Sequence, residues 1–223
     1  MSYYTLPEIY SDYESCYNDV KNTIDSKLDE AKYIFHYCYV KGYHPFIAIA
    51  HAYYESRLDT NYESYYPEHD GTKGKGIFSM YDSFWIMYGL GKPCKTANKT
   101  PCKITDPRLQ ARDRKNIEHA MYSYVIYLNY CFISSSAYIF EGKYEKVLLF
   151  YKYAVTYRKH YDHFRYTNDI LFYADVINKV FLDKSLTLKD IKSHSYNKDF
   201  DPDDTYYHAP KYNIRIYKMT GYM

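Results

Sequence analysis

From residue 22 to 40 the apolar side chains Ile24, Leu28, Ala31, Ile34, Phe35 and Cys38 recur at helical spacing, as on a helix with one face in a core. Gly42 is placed to end that helix in the way a C-terminal glycine does. The chain restarts as HPFIAIAHAYYESRL, with Pro45 in the first turn, where a missing N–H costs nothing. Residues 61–79 contain Pro67 and three glycines and read as loop. MYDSFWIMYG reads as a short helix or turn, and residues 89–107, with Pro93, Pro101 and Pro107, as a loop. A long helix is expected over 108–132 through Ile117, Met121, Tyr124, Val125, Leu128 and Cys131, with two more over 143–158 and 166–182. After Lys184 the period fades. NKDFDPDDTYYHAP reads as loop and NIRIYKM as a short strand. The expected fold class is mostly α: an N-terminal extension over residues 1–20, a helical domain over 21–183 and a short irregular C-terminal extension over 184–223. There is no internal repeat.

Composition sharpens this only in places. Hydrophobic residues make up 47% of the 223-residue chain and aromatics 21%, enough for a packed core. Tyrosine is the outlier at 34 residues. A tyrosine joins an apolar body to a polar tip, so a tyrosine-rich chain can line a wet groove, yet most of these tyrosines read as stand-ins for Phe and Leu. Net charge is +2 and says little about partners. Locally, residues 91–115 carry eight basic side chains against Asp106 and Asp113. That stretch is short and not interleaved with aromatics, so no nucleic-acid partner is expected. The five cysteines, Cys16, Cys38, Cys94, Cys102 and Cys131, are scattered and include no metal-binding Cys-x-x-Cys. They read as free thiols, with Cys94 and Cys102 close enough in sequence to pair in an oxidising space. DFDPDD at 199–204 lacks the glycine and closing Glu of an EF-hand and reads as a solvated acidic loop. No metal or other cofactor is expected. The first residues, MSYYTLPEIYSDYESC, contain no basic region followed by an apolar stretch, so no secretory signal is expected, and no apolar run is long enough to span a membrane.

The segment HPFIAIAHAYYESRLDTN resembles the first motif of the soluble lytic transglycosylase and goose-type lysozyme superfamily, in which an apolar helix ends in Glu-Ser and is followed by an Asn. GKGIFSM at 74–80 resembles that family's Gly-rich turn. DPRLQARDRKNIEHAMYSYVIYL resembles the next segment, VLLFYKYA the apolar-Ala-Tyr-Asn stretch, and TNDILFYADVINKV the late Tyr-containing helix. The five segments keep the family's order over roughly residues 44–182. The resemblance implies a lysozyme-like α-helical domain that cleaves the β-1,4 bond between N-acetylmuramic acid and N-acetylglucosamine in peptidoglycan. Glu55 would be the single acid/base. The sugar's own 6-hydroxyl would close on the anomeric carbon, and the product would be a 1,6-anhydro sugar.

Elementary chemistry fits that role. The leaving oxygen needs a proton donor near neutral pH, and a carboxyl serves only if burial among apolar groups raises its pKa. Glu55 stands at the end of an apolar helix beside Tyr53 and Tyr54. By the resemblance, Ser56 tethers the Glu55 side chain or the loop after it. Gly74 and Gly76 let the backbone approach substrate with positive φ, and Phe78 and Ser79 line the substrate groove. Tyr151 orients the Glu or the sugar, and Tyr173 contacts the Glu. Asp70 and Asp82, flanking the glycine turn, are candidates for a second carboxylate if the reaction is hydrolysis by water. Three departures stand out. Ser79 replaces the family's Gln, Lys152 replaces its Asn, and Gly-Lys-Gly stands where Gly-x-x-Gly is usual. They motivate an alternative: a catalytically inactive lysozyme-like structural or wall-binding protein of a virion. A wall-cleaving enzyme without a signal would act from a virion, or as a phage endolysin released through a holin-type pore.

Overall fold

The computed structural model describes residues 4–41, 43–68, 70–88, 110–134 and 161–186. Six helices occur among them: α1 (Tyr13–Ser26), α2 (Leu28–Lys41), α3 (Pro45–Ser56), α4 (Asp82–Tyr88), α5 (Ile117–Ser134) and α6 (Tyr161–Asp183). No strand is present among the described residues, only the isolated antiparallel bridges Glu63–Lys75 and Lys75–Met80. The mostly α class is therefore observed. The expected helix over 143–158, the loop over 89–107, Gly42, Cys94, Cys102, Lys152 and the segment after residue 186 lie outside the described residues.

The single helix expected over 22–40 is two. Lys27, at φ −126° and ψ 35°, ends α1 and separates it from α2. Helix α1 starts well before residue 21, because Asp12 and Ser15 form a reciprocal capping box, with the Ser15 N–H donating to Asp12 Oδ1 at 2.7 Å. Its apolar stripe is sparse but regular. Cys16, Val20 and Ile24, four residues apart, are all fully buried. The helix thus crosses the boundary expected at residue 20 and packs on α6. The segment before it is tied down as well. Asn168 exchanges hydrogen bonds with the Thr5 backbone at 2.8 and 2.9 Å, and Glu8 pairs with Arg165 at 3.0 Å.

Helix α3 is the central element, packed on both α2 and α6, and its residues from Pro45 to Tyr53 are buried. Continuous burial explains why its sequence shows a solid apolar run rather than a stripe. Proline occupies its first turn as expected, and His44 caps it, with Nδ1 accepting from the Ile47 N–H at 3.4 Å. Phe35 of α2, Phe46 of α3 and Phe181 of α6 join the three helices, with ring centroids 5.2 to 5.9 Å apart. Helix α5 starts at Ile117 rather than near 108. The Asn116 side chain accepts from the Glu118 N–H at 2.9 Å, and Asp113 accepts from Lys115. These short polar side chains bind local backbone donors and favour a turn before the helix.

Candidate active site

Helix α3 ends on Glu55 and Ser56, then turns sharply through Arg57 (φ 57°) and Leu58 (φ 60°), both left-handed. Two consecutive non-glycine residues in that region cost of order 1 kcal/mol each, and the fully buried Leu58 pins the turn. The turn frees the last carbonyls of α3 to accept from the Arg57 and Leu58 N–H groups. It also leaves the Glu55 side chain only 16% exposed at the helix end.

One helical turn earlier on the same face stands His51, whose side chain is fully buried. Its Nε2 lies 3.7 Å from Glu55 Oε1. The Tyr166 hydroxyl oxygen, brought in by α6, is 2.6 Å from His51 Nε2 and 3.4 Å from Glu55 Oε1. The other ring nitrogen, Nδ1, is 3.3 Å from the Tyr124 hydroxyl on α5. Tyr54, 39% exposed, sets its ring edge-on to Tyr166 at 5.2 Å. A carboxyl, an imidazole and two phenols from three helices thus form one polar cluster within an aromatic shell. Tyr81 completes the surroundings. Its phenol is pushed up to about 12, chiefly by burial and then by the negative fields of Glu68, Asp70 and Glu55.

The glycine turn faces this cluster. Ser56 Oγ donates to the Ile77 carbonyl at 2.7 Å and to the Ala52 carbonyl at 3.1 Å. Ser56 therefore ties the end of α3 to the turn. Phe78 is buried and stacks on Tyr124 with centroids 4.1 Å apart, edge-on to His51. Here Phe78 is a wall of the His51 pocket. Gly76 has φ +74°, but Gly74 is not in the positive region. The close approach the glycines permit is to the protein itself. A Cβ on Gly76 would sit 1.9 Å from the Arg114 carbonyl oxygen, and one on Gly74 would sit 2.3 Å from Ser79 Oγ. Ser79, with φ 50°, has its side chain turned over Gly74.

Asp70 and Asp82, the candidates for a second carboxylate, are both engaged in structure. Asp70 is buried. Its Oδ1 accepts from the Thr72 N–H and hydroxyl at 2.9 and 2.7 Å, and its Oδ2 from the Ser83 N–H at 2.8 Å. Burial alone would raise its pKa, but the Ser83 and Thr72 donors outweigh burial and hold it below the usual carboxylate value. Asp82 Oδ1 pairs with Arg114 at 2.6 Å, and the same guanidinium donates to the Met80 carbonyl at 2.9 Å. Asp70 therefore fastens the glycine turn to the start of α4, and Asp82 fastens that start to Arg114.

Tyr173 lies elsewhere than expected. Its ring packs against Tyr53 at 4.9 Å and Tyr10 at 6.3 Å, beside a surface cluster in which Tyr10, Tyr53 and Arg57 converge on Asp19. A tyrosine that does reach Glu55 is Tyr166, seven residues earlier on α6. Tyr151 lies outside the described residues. His51 and Tyr166 were not among the expected site residues. The spacing of His51 and Glu55, four apart on an apolar helix, was the signal that could have raised His51.

No protein-family model, curated protein or solved structure matches this chain. Among the described residues no group of three or more His, Cys, Asp or Glu could hold a metal ion, and no helix is long and apolar enough to cross a membrane. Cys16, Cys38 and Cys131 are buried free thiols.

Proposed function

We propose that the protein is a lysozyme-like lytic transglycosylase that cleaves the glycan strand of peptidoglycan, with Glu55 as the single acid/base. The observation that carries this reading is the setting of Glu55. It is a mostly buried carboxyl at the end of an apolar helix, flanked by Tyr166 and the His51 pocket, with Tyr54 beside it at the surface and Tyr81 near enough to feel its charge. Such a site disfavours the ionised form and suits a proton donor. The engagement of Asp70 and Asp82 supports the one-carboxylate route, in which the sugar's 6-hydroxyl attacks, over an inverting route that needs a second carboxylate to activate water. One observation favours a second reading, that of a non-catalytic wall-binding or virion structural module. Ser79, at the position of the family's Gln, is folded over Gly74.

The test is mass spectrometry of purified peptidoglycan incubated with the protein and with Glu55→Gln. Anhydro-muropeptides made by the wild type and absent with the variant are the expected result. Reducing ends would indicate hydrolysis. Sedimentation with intact, undigested wall would establish the second reading.

A further inference from the structure

The Tyr166 hydroxyl stands between two acceptors but carries one proton. Its contact with His51 Nε2, at 2.6 Å, is in the range of a strong hydrogen bond, and the 3.4 Å contact with Glu55 Oε1 is the longer and weaker of the two. The short contact takes the phenol proton when Nε2 is the unprotonated nitrogen of a neutral ring. Nδ1 then carries the ring proton and points it at the Tyr124 hydroxyl, 3.3 Å away. In that arrangement Tyr166 offers Glu55 only an oxygen lone pair, which a protonated carboxyl can use and a carboxylate cannot.

We propose that His51 is a positioning residue that holds the Tyr166 proton away from Glu55, so that the hydroxyl accepts from, and stabilises, the protonated form of Glu55. This rests on the reading of Glu55 as the acid. The device is reversible. Once Glu55 has given up its proton, rotation of the Tyr166 O–H toward the new carboxylate turns the same phenol into a donor, suited to the second, basic half of the cycle. Tyr81, from the segment before α4, feels the negative charge of Glu55 together with that of Glu68 and Asp70, so these carboxylates share one neighbourhood and their mutual repulsion favours a neutral Glu55. Tyr54 is on its own helix, and Tyr124 of α5 lies behind His51.

Two NMR measurements on the full chain test it. Side-chain nitrogen correlation spectra should show His51 as a neutral ring protonated on Nδ1. A ring protonated on Nε2, or on both nitrogens as in an ion pair with Glu55, overturns the proposal. Carboxyl carbon titration, with the Glu55 signal identified by its loss in Glu55→Gln, gives the second readout. The midpoint should lie above the ordinary Glu value of about 4.3 and fall by about one unit in Tyr166→Phe. His51→Phe should lower it too, because the freed phenol proton turns to the carboxylate. The double variant should match Tyr166→Phe alone. An unchanged or raised midpoint in Tyr166→Phe, which removes a single oxygen and needs no refolding of the core, overturns the proposal even if His51→Phe fails to fold. The first measurement reads His51 and the second reads Glu55, so both stand whether or not the protein digests peptidoglycan.

Discussion

Replacing Gly76 by alanine separates two effects that the glycine turn combines. Gly71 and Gly76 have nearly the same dihedral, φ +77° and +74°. A Cβ on Gly71 would meet nothing within 4 Å, whereas one on Gly76 would lie 1.9 Å from the Arg114 carbonyl oxygen. Gly71→Ala therefore measures the left-handed backbone alone, about 1–2 kcal/mol for an L-residue. Gly76→Ala adds a collision that can be relieved only by moving the Arg114 backbone, and overpacking of that kind costs about 1–3 kcal/mol more. A domain of this size loses roughly 2–4 °C in Tm per kcal/mol. Thermal unfolding followed by circular dichroism should thus show a fall of about 5 °C for Gly71→Ala and about 10 °C for Gly76→Ala. The consequence should reach the site, because Arg114 holds the Met80 carbonyl, and Ile77, next to Gly76, is tied to the end of α3 by Ser56. On the proposed reading, wall digestion should drop with Gly76→Ala and persist with Gly71→Ala. Equal melting temperatures for the two variants would refute the close packing of the turn against Arg114.

Other perturbations follow from the same geometry. Arg114→Met should lower stability by about 2 kcal/mol, read as a shift in urea midpoint. It strands Asp82 and the Met80 carbonyl, and the pair is mostly but not fully buried. A shift under about 0.5 kcal/mol would place the pair with ordinary surface bridges. Asp70 is held below the usual carboxylate value, so its contribution is present above the unfolded pKa near 3.8 and lost as pH falls through the lower folded value. Asp70→Asn should flatten that acid limb of the stability curve. Burial pushes the His44 imidazole down to about 3, so the unfolded chain takes up a proton near pH 6.5 that the folded chain refuses. Stability should decline as pH drops from about 6.5 toward 3, and His44→Asn, which keeps a helix-capping acceptor, should remove that slope. The residue as a whole is partly exposed, and solvent contact narrows the pH range over which the decline runs. A stability curve that is flat over this range in the wild type would remove His44 as its source.

The sequence by itself determined the mostly helical character, the start of α3 at Pro45, the placing of Glu55 and Ser56 at its end, and the tight glycine turn. These are local properties. An apolar run of helical length, a proline at a first turn and a cluster of glycines act within a few residues, so periodicity and composition reveal them, whereas the approach of Gly76 to Arg114 is a tertiary contact. It also left local signals that are easily passed over, such as the Asp12–Ser15 capping box and the four-residue stripe of Cys16, Val20 and Ile24 that carry α1 across residue 20. What only the tertiary structure decided are the contacts between elements. Tyr166 and Tyr173 lie two turns apart on one side of α6, about 10 Å along its axis. Which of them meets Glu55 depends on how far α6 slides against α3, and no local pattern encodes that offset. His51 reads in sequence as one more residue of a buried helix. It becomes a partner of Glu55 and Tyr166 because α5 and α6 close over it. Asp70 and Asp82 look like spare carboxylates beside a turn until Ser83, Thr72 and Arg114 arrive to engage them. Helix periodicity fixes which face is buried. The depth of a side chain in that face, and the atom it meets there, are set only when the helices pack.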